Sequence, residues 1–131
     1  MTISGFDHLQ VAMPAGAEAD ARAFYAALLG LVEVEKPAPL QARGGCWFNG
    51  PGFALHLGVE TSFSPARKAH PAFLTTDLDE LAPKLTAAGH PVQWDEALPG
   101  VRRFYTADPF GNRIEIIQAD DGGFSDRQPA L

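Results

Sequence analysis

Leu55-His56-Leu57 and Ile114-Glu115-Ile116 are the two stretches whose reading decides the fold. In each, one ionisable residue stands between two branched apolar residues. Successive side chains of an extended chain point to opposite faces, so the apolar pair of each triplet faces a hydrophobic layer. His56 and Glu115 then face the other way, into whatever the far side of a sheet encloses. A polar group in such a place needs a partner if water is excluded from it.

The surroundings of the two triplets repeat. Before the first, Phe6 to Met13 alternates, with Leu9, Val11 and Met13 on an apolar face and Phe6, His8, Gln10 and Ala12 on a mixed one. After a Pro14-Ala15-Gly16 break, Glu18 to Leu29 has helical spacing: Ala21, Phe24, Tyr25 and Leu28 share a face, and Gly30 sits where a C-terminal cap belongs. Leu31 to Glu35 is followed by a Pro37/Pro39 turn. Cys46-Trp47-Phe48 then makes a hairpin with Phe53 to Val59 through Asn49-Gly50-Pro51-Gly52. The order returns with a strand at Ala69 to Thr76 and a helix carrying Leu78, Leu81, Leu85 and Ala88, capped by Asp77 or Asp79. Pro83 favours the later start. Strands at Val92 to Asp95, Val101 to Thr106 and Arg113 to Gln118 follow, the last two joined by an Asp108-Pro109-Phe110-Gly111-Asn112 turn. The pattern predicts an α+β fold of two tandem βαβββ modules, residues 1–62 and 63–131, with a loosely held tail from about residue 120. Each half is too small to form a good core alone, so the two should pair.

Composition narrows the function. The 131 residues are 46% hydrophobic and 20% charged, as in a globular protein, and a chain of this length can bury a core without staples. The net charge of −6, without a basic stripe, argues against nucleic acid and anionic membranes. No signal peptide and no membrane span is read. Cys46 is the single cysteine, which excludes an intrachain disulfide and fits a reducing, cytoplasmic compartment. The expected partner is a small molecule.

Four residues hold equivalent places in the repeat. His8 lies in the first strand of one half and His70 opens the first strand of the other; His56 and Glu115 lie in the last strands. The separations are 48 residues from His8 to His56 and 45 from His70 to Glu115. Imidazole and carboxylate are ligands that divalent first-row metals accept, and a metal turns such a cluster from a burial cost into a favourable site. Each residue also has a plainer reading. His8 can be a hydrogen-bonded strand residue, His56 a surface histidine, and Glu115 the partner of Arg113 or Arg103. Trp47, Phe48, Arg103 and Tyr105 are the candidates for lining a substrate pocket, although alternation turns about half the aromatic residues towards the helices. Of Arg102 and Arg103, which point opposite ways, one can reach the cavity and hold an anionic group. Cys46 is read as inert and His90 as solvated.

The stretches Phe6-Asp7-His8-Leu9-Gln10-Val11-Ala12, Phe24-Tyr25-Ala26-Ala27-Leu28-Leu29-Gly30-Leu31 and Asp108-Pro109-Phe110-Gly111-Asn112-Arg113-Ile114-Glu115 resemble the vicinal oxygen chelate superfamily. That superfamily includes glyoxalase I, extradiol dioxygenases, fosfomycin-resistance transferases and bleomycin-resistance proteins. The resemblance spans nearly the whole chain and implies the glyoxalase/bleomycin-resistance/dioxygenase fold, a curved mixed sheet of two modules. It is specific for fold and poor for reaction, because the superfamily hosts many chemistries. It implies metal ligands from the first and last strands of each module, here His8, His56, His70 and Glu115. One divalent ion per site follows, with Zn, Ni, Fe, Mn and Co not distinguished. Where glyoxalase I carries a carboxylate in both last strands, this chain has His56 in one. Its single carboxylate is closer to the His-His-Glu set of dioxygenases and fosfomycin transferases, in which His56 would be a second-sphere acid/base. Glu115 or His56 is then the catalytic proton-transfer group, in a glyoxalase-type lyase or a dioxygenase. The resemblance also implies a homodimer in which module one of one chain faces module two of the other. The alternative is a protein that binds and sequesters a drug or metabolite without catalysis.

Overall fold

The structure, a computed structural model, describes residues 1–119; the tail expected to be loosely held lies outside the described residues. Among the described residues, eight strands form two sheets of four. The first contains β1 (Leu9–Met13), β2 (Val32–Val34), β3 (Cys46–Gly50) and β4 (Phe53–Val59), in the order β1-β4-β3-β2. The second contains β5 (Ala72–Thr75), β6 (Gln93–Trp94), β7 (Arg103–Ala107) and β8 (Arg113–Gln118), in the order β5-β8-β7-β6. In each sheet the first and last strands pair parallel and the remaining pairs are antiparallel. A parallel pair cannot be closed by a tight turn, which is why the helix and two strands of each module lie between its partners in sequence. The βαβββ repeat is thus the observed fold.

The helices cover one face of the sheets. α1 (Glu18–Ala21) continues as a π-helical stretch, Arg22–Leu28, closed by the Leu29 amide on the Phe24 carbonyl at 2.9 Å. Ala21, Phe24 and Tyr25 on it are fully buried, and Gly30 takes a φ of +80° at its end, as a helix stop requires. A short helix, α2 (Ala38–Gln41), occupies the segment read as a proline turn; Pro39 falls in its first turn, where no amide hydrogen is missed. In α3 (Leu78–Ala87), Asp77 and not Asp79 holds the N-cap position, so Pro83 lies inside the helix. The Asp79 carbonyl therefore loses its helical donor.

The core draws on both halves: Met13, Phe48, Leu55 and Leu57 from the first, Leu78, Leu85, Phe104, Ile114 and Ile116 from the second. The turn after β7 ties them together. Asp108 is 3% exposed and accepts from the amides of Phe110 and Asn112, the Asn112 side chain, and the Tyr25 hydroxyl at 2.7 Å. Burial, and then the Asp108 carboxylate, raise the Tyr25 phenol well above its usual value, so it stays a donor. The same Asn112 amide reaches back 2.8 Å to the Ala12 carbonyl at the end of β1. His90 is not solvated. Its Nδ1 donates to the Ala107 carbonyl at 2.9 Å and its ring packs on Phe24.

Candidate functional site

Strand register shows how closely the halves repeat. His56 on β4 stands opposite Gln10 on β1 and Trp47 on β3; Glu115 on β8 stands opposite Ala72 on β5 and Tyr105 on β7. His56 and Glu115 are therefore equivalent, as are Trp47 and Tyr105. His8 and His70 each lie two residues before the residue paired with them. Neither histidine is inside a strand: β1 begins at Leu9 and β5 at Ala72. Pro71 has no amide to give a ladder, but its carbonyl still accepts from the Glu115 amide at 3.0 Å, which keeps His70 alongside β8.

On the first open face three rings are stacked. His56 lies 3.8 Å from Trp47, with the rings 2° from parallel, and 4.1 Å from His8 on its other side. Burial and then His8 lower the proton affinity of His56, with Asp7 opposing and Lys36 adding to the effect, so the ring is neutral at pH 7. The Asp7 carboxylate, 2.8 Å from His8 Nδ1, can only accept. It fixes the proton on Nδ1 and leaves the His8 Nε2 lone pair free. Histidines that bind metals are commonly oriented in this way.

On the second open face the groups are charged. Glu115, 6% exposed, has Oε1 at 3.0 Å from His70 Nε2 and Oε2 at 3.0 Å from an Arg103 terminal nitrogen. The same arginine donates to Asp95 at 3.1 Å and to the Tyr105 hydroxyl at 3.2 Å. The Ala97 amide, with Arg103, holds the Asp95 carboxyl below its usual range. His70 Nδ1 donates to the Lys68 carbonyl at 2.9 Å, so in a neutral ring the Nε2 lone pair is aimed at a carboxylate oxygen. Such an arrangement is repulsive unless a cation, a proton or a metal, lies between them. The donor types, the oriented His8 and the close approach of His70 Nε2 to Glu115 Oε1 fit a divalent ion.

The four candidates come together as two pairs, one on each sheet. Among the described residues no three His, Cys, Asp or Glu side chains gather at one point. Of the pocket candidates, Trp47, Arg103 and Tyr105 lie on the open faces. Phe48 does not: strand parity turns it to the helix layer, fully buried and 5.8 Å from the Tyr25 ring. Arg102 turns outward to Asp79 at 2.7 Å. Arg103 reaches the cavity side, but its charge is taken up by Glu115 and Asp95. Arg113, not among the candidates read from the sequence, also lies on the second open face. Its guanidinium lies 4.0 Å over the Tyr105 ring, and its position two residues before Glu115 on one strand was the available signal. Cys46 is buried, with burial pushing its thiol up to about 11, and is inert as expected.

No helix among the described residues is long and apolar enough to cross a membrane. No protein of curated function matches the sequence. A structure from Bacillus anthracis, assigned to the glyoxalase family, is 48% identical, covers 92% of this chain and 98% of its own, and superposes with a TM-score of 0.85. The fosfomycin resistance protein FosX from Listeria monocytogenes (18% identity, 92% and 98% coverage, TM-score 0.73) has the same fold. So has lactoylglutathione lyase from Agrobacterium tumefaciens (24% identity, 90% and 96% coverage, TM-score 0.64). The profile of the glyoxalase-like domain matches residues 10–117, and the chain belongs to that family, within the vicinal oxygen chelate superfamily.

Proposed function

We propose that this protein is a metal-dependent enzyme of the glyoxalase or dioxygenase type, acting on a small oxygen-bearing substrate in a cytoplasmic setting. His8, His70 and Glu115 would hold one divalent ion per site, with His56 as a fourth ligand or as the group that moves a proton. The observation that carries this reading is the 3.0 Å approach of His70 Nε2 to Glu115 Oε1, two ligand-type atoms side by side on one open face while Nδ1 is committed to Lys68. Because the donors divide into His8 with His56 and His70 with Glu115, a whole site requires the first face of one chain against the second face of another. Two-fold symmetry makes two such sites at once. When bound, the ion would supply Lewis-acid polarisation of the substrate's oxygens.

The chain's own residues supply the rest. His56, neutral and sandwiched between rings, can accept a proton from substrate carbon or oxygen without moving. Arg103, which also donates to the Tyr105 hydroxyl, holds Glu115 Oε2 while His70 lies against Oε1, so the orientation of the carboxylate is set before substrate arrives. The second reading is a non-catalytic small-molecule binder. It draws on the fact that Glu115 already has His70 and Arg103 as partners.

Metal analysis of untagged protein separates the two. The enzyme reading expects about one ion per chain, with His8→Ala and Glu115→Ala each losing most of it. Mixing these two variants should restore metal to up to half of the sites in the heterodimer, since one of its two sites carries neither lesion. Full metal content in both variants would rule out the reading, and a monomer with full metal content would rule out the shared site.

A further inference from the structure

Arginines near the second open face differ in one respect. Arg102 is paired with Asp79, and Arg103 with Glu115 and Asp95, each within 3.1 Å. Arg113 forms no such pair among the described residues, although it shares the face and the strand of Glu115. Its guanidinium carbon instead stands over the Tyr105 ring, 4.0 Å from the centroid. Stacking uses the face of a guanidinium and leaves its in-plane N–H donors unspent.

The platform under it is fixed. Tyr105 is held at its hydroxyl by Arg103 at 3.2 Å and at its edge by the His70 ring at 5.5 Å. The Arg113 amide donates to the Ala66 carbonyl at 2.9 Å, which pins the start of β8 to the segment between the modules. A side chain of this kind is pre-organised, so a ligand loses little in ordering it. Local charge completes the argument. Arg103 and Arg113 balance Glu115 and Asp95, and Arg103 already occupies both carboxylates. A divalent ion at His70 and Glu115 would leave the face with a surplus of two positive charges, and Arg113 is the cation with donors to spare.

We propose that Arg113 anchors the anionic end of the substrate, which is a small carboxylate or phosphonate whose remaining oxygens reach the metal. This rests on the site reading given above and adds to it a substrate class and a specificity residue. Both head groups offer two or more anionic oxygens to a planar pair of N–H donors, so they share one chemistry.

Acetate and methylphosphonate are the probes, with acetamide as the neutral control. Each is titrated by NMR into wild type, Arg113→Lys and Arg113→Met, once with nickel and once with EDTA. At least one anion should bind wild type, and Arg113→Met should weaken that binding tenfold or more. Arg113→Lys should retain part of it, acetamide should not bind, and metal content and sedimentation should be unchanged. The tighter anion identifies the head group. If the loss in Arg113→Met persists in EDTA while no variant binds nickel, the anchor stands and the metal reading fails. If nickel binds but Arg113→Met holds the anions as wild type does, the anchor fails and the metal reading stands. Absence of anion binding in wild type overturns the proposal, and so does a variant that sediments differently with anion affinity unchanged, since Arg113 would then be an intersubunit pair.

Discussion

The two open faces are built on one backbone plan and filled with opposite chemistry. At the position where β4 carries His56, β8 carries Glu115; beside them stand Trp47 and Tyr105 in the same register. The first face closes around its ionisable group with rings and holds it neutral. The second closes around its group with Arg103, His70 and, through Arg103, Asp95. A duplicated scaffold thus offers a neutral base on one side and a compensated carboxylate on the other. Two ligand-type side chains on either face are too few for a metal site, and it is under the proposed shared site that the difference between the faces makes them complementary.

Substitutions that exchange or erase this contrast should have effects of graded size. The largest is expected for Glu115→Ala, which removes a proposed ligand; nickel affinity by calorimetry should fall by more than about a hundredfold, beyond the losses typical of outer-shell partners. Next is Arg103→Ala, which leaves the buried Glu115 oxygen without its donor. Urea denaturation of chelator-treated protein should show a loss of about 2–3 kcal/mol. An equal effect from Arg102→Ala would dissolve the contrast between these neighbours, because the Arg102–Asp79 pair is exposed and its removal should leave the midpoint unchanged.

The pH response is smaller and belongs to the first face. His56 has a folded-state pKa below its unfolded value, so the unfolded chain takes up the proton first. In EDTA, stability should be constant above about pH 6.5 and decline as pH falls from there through the lowered folded value. His56→Gln should flatten that part of the profile. A profile unchanged by the substitution would mean that this ring does not differ from an exposed one.

The repeat, and the turning of His56 and Glu115 to the open faces, were legible in the sequence because both follow from alternation, which needs no knowledge of neighbours. Leu55 and Leu57 are enough to turn His56 to the open face. What stayed hidden depends on register. Trp47 and Phe48 are adjacent and both aromatic, and only the pairing of Trp47 with His56 and of Phe48 with Leu55 decides which one reaches the site. The roles of Arg103 and Arg113 are separated in the same way: both share a face with Glu115, and side-chain reach across β7 and β8 assigns the carboxylate to Arg103. His70 was placed inside a strand, and it precedes one because Pro71 follows it.

The stack of Trp47 on His56 has an optical consequence. An indole in van der Waals contact with an imidazole has its emission quenched when the ring takes up a proton, and again changed when the ring binds a metal. The other tryptophan, Trp94, lies against Phe104 and Arg102 on the second sheet, away from any histidine partner of this kind. The protein therefore carries a built-in fluorophore at 3.8 Å from its neutral histidine, and Trp94→Phe would leave its light as a direct readout of that ring.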